Sequence, residues 1–165
     1  MFCLRVSFLF FFLSLIFMRK ISSFSKFFMM AVLPLAFTHI TAHAQASIWD
    51  GVYTKDQAAR GKLSYSPACA KCHGEIMNGS GQPDQRPSPA LAGDMFLFSW
   101  NNKPVAALWA YIKTTMPTDN PGILSDQQTS DVIAHMLSLT EIPTGAKPLP
   151  SDIGSLAGIM IKRSK

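Results

Sequence analysis

Two cysteines and a histidine stand together in the run Cys69-Ala70-Lys71-Cys72-His73, and this spacing constrains the chain more than any other feature it carries. Cysteines three positions apart lie on one side of a single helical turn, so both sulfurs can form thioethers to the two vinyl groups of one porphyrin. The histidine follows directly, and its imidazole can swing over the ring to ligate the iron from the face beneath the attachment points. The opposite face is left for a second ligand. A zinc site would need a second ligand pair, yet the only other cysteine is Cys3 and the only later histidine is His135. A dithiol redox site needs a strand feeding the Cys-x-x-Cys helix, and nothing upstream of Cys69 reads as one. The motif therefore predicts one haem c, covalently held by Cys69 and Cys72, with His73 as an axial iron ligand.

Much of the apolar content precedes residue 45. Arg19, Lys20 and Lys26 make a basic region, Phe27 to Phe37 an apolar run, and Ala42-His43-Ala44 a small-x-small cleavage pattern. We read residues 1–44 as a secretory signal cleaved after Ala44, with Ala44-Gln45-Ala46 as a second frame, and expect a periplasmic product. A further apolar stretch, Phe2 to Phe17, holds one charge, Arg5, and is short for a membrane span. Met18 begins a signal of ordinary length by itself, so translation starting at Met18 is the simpler reading. The alternative is an anchor retained over residues 1–17, the one circumstance that would place the protein at a membrane. Without residues 1–44, four of fifteen basic residues go and no acidic ones, leaving eleven against ten. A nearly neutral product gives no electrostatic argument for nucleic acid as a partner.

The remaining 121 residues are few for a substantial core, but a buried porphyrin would supply apolar surface to every element around it. The pattern is all-α, with three main helices in a domain over 45–145 and a tail over 146–165. Thr54 with Gln57 reads as a capping box opening the first helix, which Pro67 ends. Gly61 inside that helix lowers its stability and points to another backbone passing close by. Residues 74–89, rich in Gly, Ser, Asn and Pro, form a long loop. Asn102 is placed to cap the second helix, with Pro104 in its first turn and Val105, Leu108, Trp109 and Ile112 as its apolar face. Ser125 and Gln128 make a second capping box before the stripe Val132, Ile133, Met136 and Leu137. In the tail, Ile153, Leu156 and Met160 are spaced for a short helix.

Five methionines follow residue 45: Met77, Met95, Met116, Met136 and Met160. Met77 is too near His73 to cross the ring, and Met136 lies on the apolar stripe of a helix, where core packing is the better reading. Met116 follows a helix and precedes Pro117, which restricts it to extended backbone and lets a loop project its side chain toward a fixed point. Met116 is therefore the expected second axial iron ligand, with Met95 as runner-up. His135, beside Met136, reads as a partly exposed side chain. A carbonyl near Pro87 or Pro89 would orient His73. Trp100, Trp109 and Tyr111 are candidates to line the haem crevice, with core packing as the alternative.

With Cys-x-x-Cys-His near the domain start, Met-Pro after a middle helix and a closing helix, the chain resembles class I monohaem cytochrome c from about Thr54 to Leu139. Arg60-Gly61 with Tyr65 look like that family's first helix, whose glycine and aromatic pack across the terminal helix. Pro89-Ala90-Leu91-Ala92-Gly93, Thr114-Thr115-Met116-Pro117 and Pro121-Gly122-Ile123-Leu124-Ser125 resemble small periplasmic members that accept electrons from quinoprotein dehydrogenases. His135 departs from the pattern, since an aromatic is expected there. The resemblance implies a one-electron carrier with His/Met ligation, not an enzyme, working between redox proteins such as a quinoprotein dehydrogenase and a terminal oxidase. The alternative is a haem enzyme or gas sensor with an open sixth position.

Overall fold

The computed structural model describes residues 45–80 and 88–164. The segment read as a signal over 1–44, with its start at Met18 and the Phe2 to Phe17 stretch, lies outside the described residues, as does Pro87. Among the described residues no helix is long and apolar enough to cross a membrane. The helices are α1 (Lys55–Ala68), α2 (Ala70–His73), α3 (Gly93–Trp100), α4 (Val105–Thr115), α5 (Asp126–Leu139) and α6 (Ile153–Leu156). A 3₁₀ turn at Ile48–Asp50 precedes them. Strands β1 (Ala46–Ser47) and β2 (Ile159–Met160) pair in parallel, Ala46 opposite Ile159.

α5 forms as its residues dictate. The Ser125 hydroxyl accepts from the Gln128 N–H and the Gln128 side chain accepts from the Ser125 N–H, closing the capping box from both sides. Val132, Ile133, Met136 and Leu137 are all buried. Each such side chain contributes about 1.5–3 kcal/mol on burial. Their counterpart is α1, and the two helices meet at Gly61. A Cβ built there would lie 1.8 Å from the Asp131 carbonyl oxygen, so the crossing exists only because the side chain is absent. Beside it the Arg60 guanidinium donates twice to the Asp131 carboxylate, at 2.9 and 3.1 Å. Tyr65 meets His135 edge-on at 5.7 Å between ring centres. His135 is thus buried at this crossing, not partly exposed as its polarity suggests, and its ring fills the place where an aromatic was expected.

Other expectations need correction. Only half of the first capping box forms: Thr54 accepts from the Gln57 N–H, but the Gln57 amide turns inward and bonds the Leu149 N–H and C=O at 2.7 and 2.9 Å. Pro67 lies inside α1, which continues to Ala68. Asn102 caps no helix. It is left-handed, with φ +61°, and its N–H bonds the Ile161 carbonyl, while Pro104 takes the N-cap position of α4 without a side-chain bond. α3 is an additional helix whose Phe96 and Leu97 are buried. The tail helix covers Ile153–Leu156 only, because Met160 belongs to β2. Leu149, Leu156 and Ile161 are buried in the same core as α1 and α5.

Candidate functional site

α1 and α2 are separated by one residue, Cys69, whose backbone leaves the helical region at φ −120°, ψ −35°. Its N–H still bonds the Tyr65 carbonyl at 2.8 Å, and its own carbonyl accepts from the N–H groups of Cys72 and His73 at 3.1 and 3.0 Å. This single turn sets both half-buried thiols on one wall of a cavity of about 630 Å³. Burial, with the neighbouring Cys72 sulfur adding to it and Lys71 opposing, pushes the Cys69 thiol up to about 11.

His73 is buried on the same wall. Its Nδ1 lies 2.9 Å from the Pro89 carbonyl oxygen, so of the two prolines considered, the bond goes to Pro89. A carbonyl can only accept, so in the neutral imidazole the proton sits on Nδ1 and the lone pair on Nε2. Bonds among the described residues hold the loop that brings Pro89 here. The Tyr65 hydroxyl donates to the Gly74 carbonyl at 2.7 Å, Gly79 N–H to the His73 carbonyl at 2.9 Å, and Leu91 N–H to the Met77 carbonyl at 2.8 Å. Gly74 has φ +77°, and a Cβ there would meet the Ser80 carbonyl oxygen at 2.7 Å. Only glycine suits that turn.

Met116 closes α4 as its C-cap, with its N–H on the Ile112 carbonyl at 3.0 Å and its backbone extended at φ −119°, ψ 149°. That is the conformation a following proline imposes. Its side chain lines the same cavity as Cys69, Cys72 and His73. Met95, the runner-up, is 64% exposed on α3 and is not among the lining residues. Met77 is buried away from the cavity. Met136 reaches the cavity wall together with Val132, one turn earlier on α5, so one edge of the apolar stripe faces the cavity and the rest faces the core. Trp100 and Tyr111 line the cavity, their rings 6.1 Å apart, and the Lys103 ammonium lies over Trp100 at 4.9 Å. Trp109 does not line it; its indole N–H bonds Ser130 Oγ at 3.1 Å within the core. Among the described residues no cluster of three or more His, Cys, Asp or Glu side chains suited to a metal ion occurs.

Sequence reasoning missed one lining contact altogether, the ion pair of Lys71 with Asp119, which joins the segment between the cysteines to the loop after Met116. A Lys inside Cys-x-x-Cys and an Asp three residues past Met116 carry no local signal of being partners.

These residues suit a porphyrin. The cavity lies within the range of about 300–1,000 Å³ usual for ligand sites, its walls combine aliphatic and aromatic side chains, and its donors are two thiols, an imidazole nitrogen held with its lone pair available, and a thioether.

Residues 56–136 match the family model described as cytochrome C oxidase, cbb3-type, subunit III. Among solved structures, the chain is similar to one described as the sulfane dehydrogenase SoxCD from Paracoccus pantotrophus, with 16% identity and a TM-score of 0.45 over 68% of this chain and 61% of that one. The curated proteins contain no match. The family match, the all-α architecture and the Cys-x-x-Cys-His turn on a haem-sized cavity converge: the chain carries a class I monohaem cytochrome c domain, an electron-transfer fold built around one covalent haem c.

Proposed function

We propose that this protein is a periplasmic one-electron carrier whose haem is bound through Cys69 and Cys72 and whose iron lies between His73 and Met116. The observation that carries this reading is that these four side chains line one cavity while His73 Nδ1 lies 2.9 Å from the Pro89 carbonyl oxygen. When bound, the haem supplies a ferric/ferrous couple. The chain's own residues do the rest. The Pro89 bond fixes the tautomer and ring orientation of His73. The extended backbone before Pro117 offers the Met116 thioether, a soft donor that would help hold the iron and would favour its ferrous state. Leu108, Ile112, Val132 and Met136 give the cavity apolar walls, which disfavour water beside the group it holds. No substrate bond is made or broken.

The partners proposed are redox proteins: a dehydrogenase, quinoprotein in kind, as donor, on the resemblance of the segments around Pro89, Met116 and Pro121, and a terminal oxidase as acceptor, the kind of assembly named in the matched family's description. A nearly neutral surface leads us to expect docking through apolar contacts with weak salt dependence.

Two measurements test the reading. After expression with a periplasmic maturation system, mass spectrometry under denaturing conditions should find the mature chain heavier by one haem, and Cys69→Ala combined with Cys72→Ala should give little holoprotein. The absorption spectrum should be that of low-spin haem and should not change under carbon monoxide. Ready carbon monoxide binding by the wild type would replace the carrier with a haem enzyme or gas sensor.

A further inference from the structure

Lys71 stands between the two cysteines on α2, and Asp119 stands in the loop between α4 and α5, three residues beyond Met116. Their ammonium and carboxylate form an ion pair, and both residues line the cavity, as do Cys72, Met116 and Pro117. The pair therefore joins the segment between the cysteines to the loop after Met116 at the lining of the cavity. The loop is held elsewhere at its ends: Met116 N–H bonds the Ile112 carbonyl at 3.0 Å, and Lys113 Nζ reaches the Leu124 carbonyl at 2.6 Å and Asp126 Oδ1 at 2.8 Å. Between those anchors a turn forms, with Asn120 N–H on the Pro117 carbonyl at 3.0 Å. Asp119 lies in that turn and carries the link to the cysteine segment.

We infer that Lys71 and Asp119 are positioning residues: their ion pair latches the Met116 loop to the haem-attachment turn and holds the sixth position closed. The inference rests on Met116 as the iron ligand. Both side chains are about half exposed, 47% and 59%, so the pair adds little to global stability and is weakened by salt. Local opening is a different equilibrium. For an external ligand to reach the sixth position the Met116 loop has to leave the α2 wall, and that motion breaks this pair while the α1–α5 core stays folded. A small interaction lost only on opening changes the open population by its full Boltzmann factor.

The test uses ferric holoprotein and imidazole as the external ligand, with binding followed by stopped flow at low ionic strength and at about 1 M salt. Asp119→Asn and Lys71→Gln should each accelerate imidazole binding about two- to fivefold at low ionic strength. The reversed pair, Lys71→Asp with Asp119→Lys, should return toward the wild-type rate. At high salt the wild type should rise to the rate of the single variants, and thermal midpoints should stay together throughout, which a merely structural role would not give. Asp119→Asn lies outside the attachment motif, so its result stands even if Lys71 variants mature poorly. Equal rates for wild type and Asp119→Asn at low salt, with the far-red methionine-to-iron band present, overturn the latch and leave Met116 in place. Absence of that band from the wild type overturns both.

Discussion

Gly61→Ala gives the sharpest test of how this fold is assembled. A methyl group at residue 61 would sit 1.8 Å from the Asp131 carbonyl oxygen, 2.5 Å from its carbon and 3.0 Å from His135 Cβ, whereas ordinary contact begins at 3.4 Å. The backbones of α1 and α5 would have to separate by about 1.6 Å, the difference between the first and last of these distances. The obstacle is backbone and cannot turn aside as a side chain would. Separation also loosens the Arg60–Asp131 pair and the Tyr65–His135 contact at the same crossing. Alanine gains about 1 kcal/mol of helix propensity over glycine, while overpacking of this kind costs about 3 kcal/mol or more. We expect a net loss of at least about 2 kcal/mol, which for a domain of this size lowers the melting temperature by about 8–10 °C. Thermal unfolding of the holoprotein followed by circular dichroism measures it. Gly154→Ala in α6 is the control, since its Cβ would meet only Asp152 Oδ1 at 3.4 Å, and it should be neutral or slightly stabilising. A Gly61→Ala variant that melts at or above the wild type would refute the close crossing.

Met116→Ala should lower the reduction potential, remove the far-red band and admit carbon monoxide, whereas Met95→Ala and the volume-conserving Met136→Leu should do none of these. Persistence of the band in Met116→Ala and its loss in either other variant would move the ligand to that residue. Burial first, and the Lys62 charge second, hold the His135 pKa below its ordinary value. The unfolded chain then binds the proton more readily, so stability should fall as pH drops below about 6.5 and level off once the folded-state pKa is passed. Denaturant titrations between about pH 5 and 6.5 should show that slope in the wild type and a flatter one in His135→Phe; equal slopes would sink the assignment. At neutral pH the apoprotein should alkylate slowly at Cys69, whose thiol is raised to about 11, and unfolding should restore an ordinary rate.

What could be read from the chain alone were relations closed within a few residues. Cys69, Cys72 and His73 need one helical turn to share a wall, Ser125 and Gln128 need only each other to cap α5, and Pro117 needs nothing beyond its own ring to extend Met116. Gly61 announced a close approach through its cost to α1, though not that Asp131 was the neighbour. α3 stayed hidden because Ala92 gives it no side-chain cap and Gly93 begins it. Tertiary structure decided every partner chosen across distance: Gln57 to Leu149 instead of its own cap, β1 to β2 across the chain, Pro89 to His73, and Lys71 to Asp119. It also decided between methionines that look alike in sequence, leaving Met95 in solvent and setting Met116 against the cavity. Local hydrogen bonds and steric limits are properties of neighbouring residues, and so they are written in order along the chain. A carbonyl or carboxylate dozens of residues away becomes a partner only when packing of the shared core brings it within reach, and that packing depends on all the side chains together.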